Sequence, residues 1–371
     1  MRAKLPVWVD LGLIPVANVL LAFLAAGLVV LAIGADPFQA VRSMIAGALG
    51  DSEAIGYTLY YATNYVFTGL AVAIAFHAGL FNIGGEGQAY LGGLGAGLVA
   101  LALDHTGSAW IVLPVAVAAA ALFGAAWAAV PAYLQAYRGS HIVITTIMFN
   151  FLAAALMVYL MVNVLIAPGN MSPESRDFAA AAQMPVLSDW LNAAGFHVQG
   201  SPLNLSAVLA LACCFGVWIL VWHTPWGYEL RMMGFNPNAA VYAGVNPRRL
   251  TVAAMCLSGA LAGFVGVNEI LGVHHRLLLD FAEGYGFGGI AVALMGRNHP
   301  LGIVFASLLF GVLQQGGTEL SFDMPQITRE MVIAIQGLVI LFSGALAYMS
   351  RPWFEWPFAM MTRRRAARAG E

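Results

Sequence analysis

Apolar runs long enough for a membrane helix recur along this chain, separated by short stretches where glycine, proline and a few polar residues break the pattern. They lie near residues 11–33, 56–77, 86–103, 110–136, 141–166, 203–222, 251–273, 284–296, 300–315 and 328–349. Each predicts a helix rather than a strand. A helix of ~20 apolar residues closes its own backbone bonds across ~30 Å of hydrocarbon, whereas an open strand leaves amides unpaired there. The expected fold class is therefore an all-α integral membrane protein, a polytopic bundle of about ten transmembrane helices forming a single transmembrane domain over residues 1–371. The eighth run is too short to cross alone at ~1.5 Å per residue, so His274 to Met295 is expected to be a broken or re-entrant helix lining a protein-walled cavity. The glycine-rich start of the third run raises the same expectation. The first run follows Arg2 and Lys4 as a signal peptide would, yet it exceeds a secretory h-region and reads as a retained span.

Composition fixes the solvent. Of 371 residues, 61% are hydrophobic and 9% charged, far from the quarter or so charged in soluble domains. The mean hydropathy is +0.81. A net charge of −2 says nothing for a nucleic acid polymer, and none is expected as a partner. Cys213, Cys214 and Cys256 sit in apolar runs without bridging or ligating partners, so they read as packing residues and no metal site is expected. With an even number of spans and the amino end inside, Arg2, Lys4, Arg138, Arg231, Arg248, Arg249, Arg297, Arg351, Arg363, Arg364, Arg365 and Arg368 face the cytoplasm. Arg42, Arg176, Arg276 and Arg329 face outward, so twelve of the 16 basic residues obey the positive-inside rule. The tail, 350–371, then lies on the cytoplasmic side and anchors to lipid headgroups through its arginines.

Two connections exceed a simple turn. Residues 167–202 face outward, carry Glu174, Asp177 and Asp189 among Pro168, Pro173 and Pro185, and read either as a docking or capping loop or as a solvated crossover. Residues 223–250 face the cytoplasm. There Pro225 and Gly227 end a helix, Asn236 and Pro237 start a short one over Pro237 to Ala243, and Gly244, Asn246 and Pro247 stop it. Its small face of Ala239, Ala240, Ala243 and Gly244, rimmed by Glu229, Arg231, Arg248 and Arg249, suits a groove on a soluble protein or an interfacial position.

The chain's polar chemistry concentrates in FNIGGEGQ at 81–88, between two apolar runs. A charge deep in lipid costs on the order of 2.5 to 3.5 kcal/mol by insertion scales, so Glu86 and Glu269 must be paired, protonated or wet. Glu86 has two readings, solute contact or a carboxylate bonding the exposed amides of a broken helix start. Glu269 lies beside Asn268 in a helix whose Gly259 and Gly263 admit a close neighbour, so it has a cross-helix alternative. His77 ends a span and reads as an interface residue or a proton relay. Thr145 and Thr146 can back-bond their own helix, whereas Asn150, one turn beyond Thr146, has no such local use.

FNIGGEGQ at 81–88, VITTIMFN at 143–150, GYELRMMGFNPNAAVYAGVN at 227–246, SGALAGFVG at 258–266 and GYGFGGIAVALMGRNHPLG at 284–302 resemble the permease subunits of bacterial ABC importers. The likeness is closest to the branch serving simple sugars and nucleosides, related to ribose and branched-chain amino acid permeases, and runs from about residue 34 to residue 349. It implies a multi-pass subunit of the bacterial cytoplasmic membrane with both termini inside. It also implies three partners: a cytosolic ATP-binding subunit, a second permease (a heterodimer) and an extracytoplasmic solute-binding protein. In it residues 227–246 become the coupling region, with Glu229, Arg231, Gly234, Asn236, Ala239, Ala240 and Gly244 at matching positions. Asn82, Glu86, Gln88, Thr145, Thr146 and Asn150 become pathway or pathway-gating candidates, joined by Glu269.

A nucleoside needs aromatic faces with amide and hydroxyl partners, which Phe81, Asn82, Gln88, Phe149 and Asn150 would supply, and the same set would serve a pentose. The only lysine is Lys4, so no phosphate-binding loop exists here; ATP and magnesium are expected on the partner, and no cofactor or catalytic residue in this chain. GYGFGG fits GxGxxG but follows no strand, which argues against a dinucleotide site. Two other classes stand beside this reading. An ion- or proton-coupled secondary transporter would use Glu86, Glu269 and His77. A membrane enzyme has only the adjacent His274 and His275 to draw on.

Overall fold

The structure, a computed structural model, describes residues 13–195, 198–328 and 331–338, together with positions 9 and 341. The described residues are helical, with a single isolated bridge between Val186 and Asn204 and no strand. Arg2, Lys4, Arg329 and the tail 350–371 lie outside them, as does most of the run expected at 328–349, of which residues 331–338 are helical. The chain divides into two compact units, residues 1–48 with 313–371 and residues 49–312.

In the first unit α1 (Ile14–Ala32) and α2 (Pro37–Leu49) meet at 119°, the turn being made at Gly34 with φ of 86°. Gly47 and Gly316 let α2 lie against the second half of α13 (Pro300–Asp323), where a Cβ would strike Glu319 and the Met44 carbonyl. Helix α2 was not foreseen; its stretch carries Gln39 and Arg42 and reads as a connection by hydropathy alone.

The second unit starts with α3 (Ser52–His77), capped by Asp51 accepting from the Ala54 amide at 2.7 Å. Then follow α4 (Gly85–Leu103), α5 (Ala109–Arg138), α6 (Ile142–Asn163) and the short α7 (Leu187–Ala193). After α8 (Ser206–His223) come α9 (Pro225–Phe235), α10 (Pro237–Tyr242) and α11 (Pro247–Gly263). The last continues through a π-helix (Val267–His274), and α12 (Tyr285–Met295) precedes α13. Glycines draw the central helices together. Gly124 of α5 meets the Gly259 backbone of α11, Gly263 abuts Ala120 and Gly92, and Gly266 abuts Gly93 of α4. Such small residues let backbones approach where lipid supplies no hydrophobic drive. In α3 83% of the apolar window is buried, against 28% in α5, α6 and α8, so α3 is central and those three present their sides outward.

Six described helices are long and apolar enough to cross a membrane: α3, α5, α6, α8, α11 with its π continuation, and α13. The α1–α2 pair makes a seventh if it is one bent span. The expected runs at 86–103 and 284–296 do form helices, but α4 opens on a polar turn and α12 has only 11 residues.

Candidate functional site

The short α12 and the polar start of α4 have one cause. After His77 the chain turns at Gly79 (φ of 72°), passes through residues 81–83 without regular structure and begins α4 at Gly85. From the other direction residues 275–284 run along α4, with Leu277 under Gly97 and Phe281 under Gly93, before α12 starts. The two helix beginnings therefore meet. Gly85 lies against Gly286, where an added Cβ would come within 3.3 Å of the Gly286 Cα. Two helix N-termini bring positive dipole ends together, and Glu86, buried to 8% exposure, answers both. It belongs to the first turn of α4, and its carboxylate accepts from the amides of Gly284 and Gly286, each at 2.9 Å, as the cap of α12. The approach to this junction is conformationally unusual: His275, Asp280 and Glu283 take φ of 53°, 59° and 42°, a region where side chains are strained.

The remaining hinge residues pin the loop entering α4. Asn82 donates to Gln88 and to Ser258 Oγ, each at 2.9 Å, and its oxygen accepts from the Gly84 amide at 2.9 Å and Gln88 Nε2 at 3.2 Å. Ser258 in turn donates to the Ala71 carbonyl at 2.6 Å. Asn150 bridges the same loop from α6, accepting from Gly87 and donating to the Ile83 carbonyl, both at 2.9 Å. Thr146 packs against Gly84 while its hydroxyl back-bonds to Ile142 at 2.8 Å. Thr145 bonds only its own helix. The half-buried Phe81 ring packs on Phe76, and Phe149 on Trp127. The structure thus gathers Asn82, Glu86, Gln88, Thr146 and Asn150 into one knot, each with protein partners, and leaves Thr145 outside it.

Glu269 lies in a second network. In the π-helix its carboxylate accepts from Tyr60 Oη at 2.6 Å and from Asn64 Nδ2, and His274 Nε2 stands 3.5 Å away. Asn268 donates to Asn64 at 2.9 Å and accepts from Asn204 at 2.9 Å and Ser206 at 2.6 Å, joining α3, α8 and the π-helix. This is the cross-helix use foreseen for Glu269, and Tyr60 and Asn64 were missed as its partners. Their spacing of four along α3 was the available signal.

At the opposite end of α5 from its loop to α4 sits the segment 223–250. Arg248 lies over the Tyr137 ring, 5.6 Å from its centroid, which puts it beside Arg138. The short helix appears as α10, capped by Asn236 accepting from Asn238 and Ala239 at 3.1 and 3.2 Å, and Asn246 caps α11. Two features differ from expectation. Pro225 ends α8 but also begins α9, because Thr224 caps the Gly227 amide at 3.0 Å and proline suits a first helical position. Ala240 is fully buried within the chain, so the outward surface is Ala239, Val241, Tyr242 (94% exposed), Ala243 and Gly244, next to Phe235 (92%). Glu229 and Arg231 are half-buried on α9.

Helix α9 faces inward with Gly227, Leu230 and Met233, and its Gly234 touches the backbone of His77 and Gly79, where a Cβ would collide with the His77 carbonyl. His77 itself contacts the Asn298 carbonyl at 3.0 Å and packs edge-on to Trp222. The outward-facing α9–α10 corner therefore rests directly on the stretch of chain that leads into Asn82 and Glu86.

A family model described as the branched-chain amino acid transport system permease component matches residues 54–344. The guanosine ABC transporter permease of Bacillus subtilis (strain 168) is 34% identical over 340 residues, 91% of this chain and 95% of its own length. The glucose ABC transporter permease of Haloferax volcanii is 33% identical over 343 residues, covering 92% and 89%. The nucleoside ABC transporter permease of Lactococcus lactis subsp. cremoris (strain MG1363) is 32% identical over 329 residues, covering 87% and 89%. No solved structure matches the chain.

Proposed function

The chain belongs to this family of transport-system permease components, and from that premise we propose that it serves an ATP-driven importer of nucleosides. Two of the three relatives above are named for guanosine or nucleosides, which favours a nucleoside over a simple sugar. On this reading the assembly sits in the bacterial cytoplasmic membrane with about ten spans in this subunit and both termini inside. A cytosolic ATP-binding subunit holds ATP and magnesium, a second permease completes the pathway, and an extracytoplasmic solute-binding protein delivers the solute. The chain itself makes and breaks no bond.

The observation that carries the mechanism is the contact of Gly234 with His77 and Gly79. A push on the exposed Phe235 and Tyr242 by a closing ATPase pair moves α9 and α10 together, with Glu229 and Arg231 on α9 and Asn236, Ala239 and Ala240 at the start of α10. The motion reaches residues 77–84 with no flexible spacer between. There Asn82, Gln88 and Asn150 hold the loop, and Glu86 holds α4 to α12. Alternating access then consists of opening and reclosing this junction, with Phe81, Asn82, Gln88, Thr145, Thr146, Asn150 and Glu269 meeting the solute as their internal bonds exchange.

The test is uptake of radiolabelled guanosine into vesicles holding the permease pair, ATP-binding subunit and receptor. Uphill uptake that needs ATP and survives a protonophore is expected. Uptake abolished by a protonophore while ATP is clamped, or equal uptake by this chain alone without ATP, would replace the importer by a secondary transporter.

A further inference from the structure

Helix α3 is the most buried of the six long spans, yet one strip of it is open. From Thr58 to Ala75 every residue is buried except Leu59, Tyr61 and Tyr65, and Tyr57 is half-buried one turn before Tyr61. Three tyrosines therefore share a face at a spacing of four, one ring per ~6 Å of helix axis. The strip begins at the end of the bundle opposite α9–α10 and reaches the middle of the span. At its start Ser201 of the connection 167–202 is seated on Gly56, and the Gln199 amide donates to Ser52 Oγ at 3.1 Å. Arg176 fastens the same connection to the end of α4, with bonds of 2.7 and 3.0 Å to Asp104. At the inner end of the strip the Tyr65 ring meets Tyr285 and Phe310 edge-on, with centroids 5.3 and 5.2 Å away, and Gly288 lies against it. Tyr285 and Gly288 belong to the opening of α12, the helix that Glu86 caps.

Two observations at that inner end point to a ligand rather than to packing. Ser307 of α13 is wholly buried and its hydroxyl has no hydrogen-bond partner. It stands one turn from Ile303, which meets Gly69, and one turn from Gly311, which meets Thr58 and Ala62, so it faces α3 at the level of Tyr65. Asp280 and Glu283, in the approach to α12, are exposed beside the midpoint of α3, and carboxylates at that depth need water around them rather than hydrocarbon. Phenol hydroxyls repeated along a span have the same need. The strip therefore borders a wet path and offers it flat, amphipathic rings.

From this geometry we infer that Tyr57, Tyr61 and Tyr65 form a stacking track for the flat base of the solute, leading it one helical turn at a time to the α4–α12 junction. The Ser307 hydroxyl supplies a polar contact at the last ring once the junction opens. Stacking on an aromatic side chain accepts any base, because every base has a π-face. Like rings at equal spacing give successive sites of similar strength, so the solute enters without being trapped. A pentose has no flat face to stack, so the track favours nucleosides over free sugars. The inference rests on the importer reading and names the part of the solute that the path recognises.

The experiment uses the complete complex in vesicles with ATP and receptor present. Radiolabelled 8-azidoguanosine is photolysed during turnover, and its adducts on this chain are mapped by mass spectrometry. Adducts at Tyr57, Tyr61 or Tyr65 are expected, suppressed by excess guanosine and untouched by excess ribose. Guanosine uptake should fall about tenfold in Tyr61→Leu, the scale of one lost base–ring stack, and stay within about twofold of the parent in Tyr61→Phe, which keeps the ring. Adducts confined to other helices, or competed equally by ribose, overturn the track. So does a Tyr61→Leu complex that takes up guanosine at the parent rate, or a Tyr61→Phe complex as impaired as Tyr61→Leu. The labelling is done on the parent chain, so it depends on no variant folding. Guanosine-sensitive adducts on the strip of a parent complex that carries guanosine equally well without ATP would keep the track and sink the importer reading instead.

Discussion

Replacing Glu86 separates a capping role from a solute-contact role. In Glu86→Ala the amides of Gly284 and Gly286 lose their acceptor inside the protein, at roughly 1–3 kcal/mol each, or about 2–6 kcal/mol in all. The dipoles of two helix starts also lose their counter-charge, adding up to ~2 kcal/mol in a buried setting. Glu86→Gln keeps one acceptor but turns an NH₂ group towards the second amide, so about half of the amide loss remains. At ~1.4 kcal/mol per tenfold, even the smaller change shifts the open and closed populations of the junction by about an order of magnitude. Thermal unfolding of the detergent-solubilised complex and guanosine uptake by the same preparation form the paired assay. Melting should fall in the order parent, Glu86→Gln, Glu86→Ala, with uptake falling in parallel. Unchanged melting with a raised KM for solute in both variants would refute the capping argument and make Glu86 a solute ligand.

Other outcomes follow from the same contacts. Gly234→Val has no space beside the His77 carbonyl; it should leave membrane insertion and ATPase binding intact while solute-stimulated hydrolysis and uptake part company, and tight coupling in this variant would contradict the route through residues 77–79. Phe235→Ala with Tyr242→Ala removes two exposed aromatics of the kind that anchor interfaces, each worth about 2 kcal/mol, so co-purification of the ATP-binding subunit should drop by an order of magnitude or more. Asp104→Asn should lower stability by about 1–2 kcal/mol, discounted because Arg176 is 41% exposed.

Arg176 bonds hold the Asp104 carboxyl down to about 2, below the ordinary ~3.9 of an unfolded chain. The pair's contribution is therefore complete above about pH 4 and is lost as pH falls towards 2. Melting curves of parent and Asp104→Asn should differ steadily from pH 7 to 5 and converge only in the acid range.

The six long apolar spans were legible because lipid forces every crossing segment to be apolar and helical, and the α10 cap was legible because Asn236–Pro237 is a local signal. Helix α2 was not, since Gln39 and Arg42 dilute its apolar pattern. Helix α9 was hidden by reading Pro225 only as a stop, although Thr224, three residues before Gly227, supplied a cap. At the site, the sequence marks Asn82, Glu86 and Gln88 as polar residues in the wrong solvent but says nothing of what they meet. Glu86 meets backbone amides some two hundred residues away, and amides carry no side-chain signature. Asn82 and Gln88 satisfy one another across the start of α4, which no hydropathy pattern distinguishes from facing a solute.

The account turns on whether motion from the ATPase arrives at the α4–α12 junction through α9 and α10. Structures of the assembled complex with and without trapped ATP measure this directly. Phe235 and Tyr242 should be seated on the ATP-binding subunit in both, with the Glu86 bonds to Gly284 and Gly286 intact in one state and broken in the other. A corner that touches no ATPase, or a junction unchanged between the two states, would contradict it.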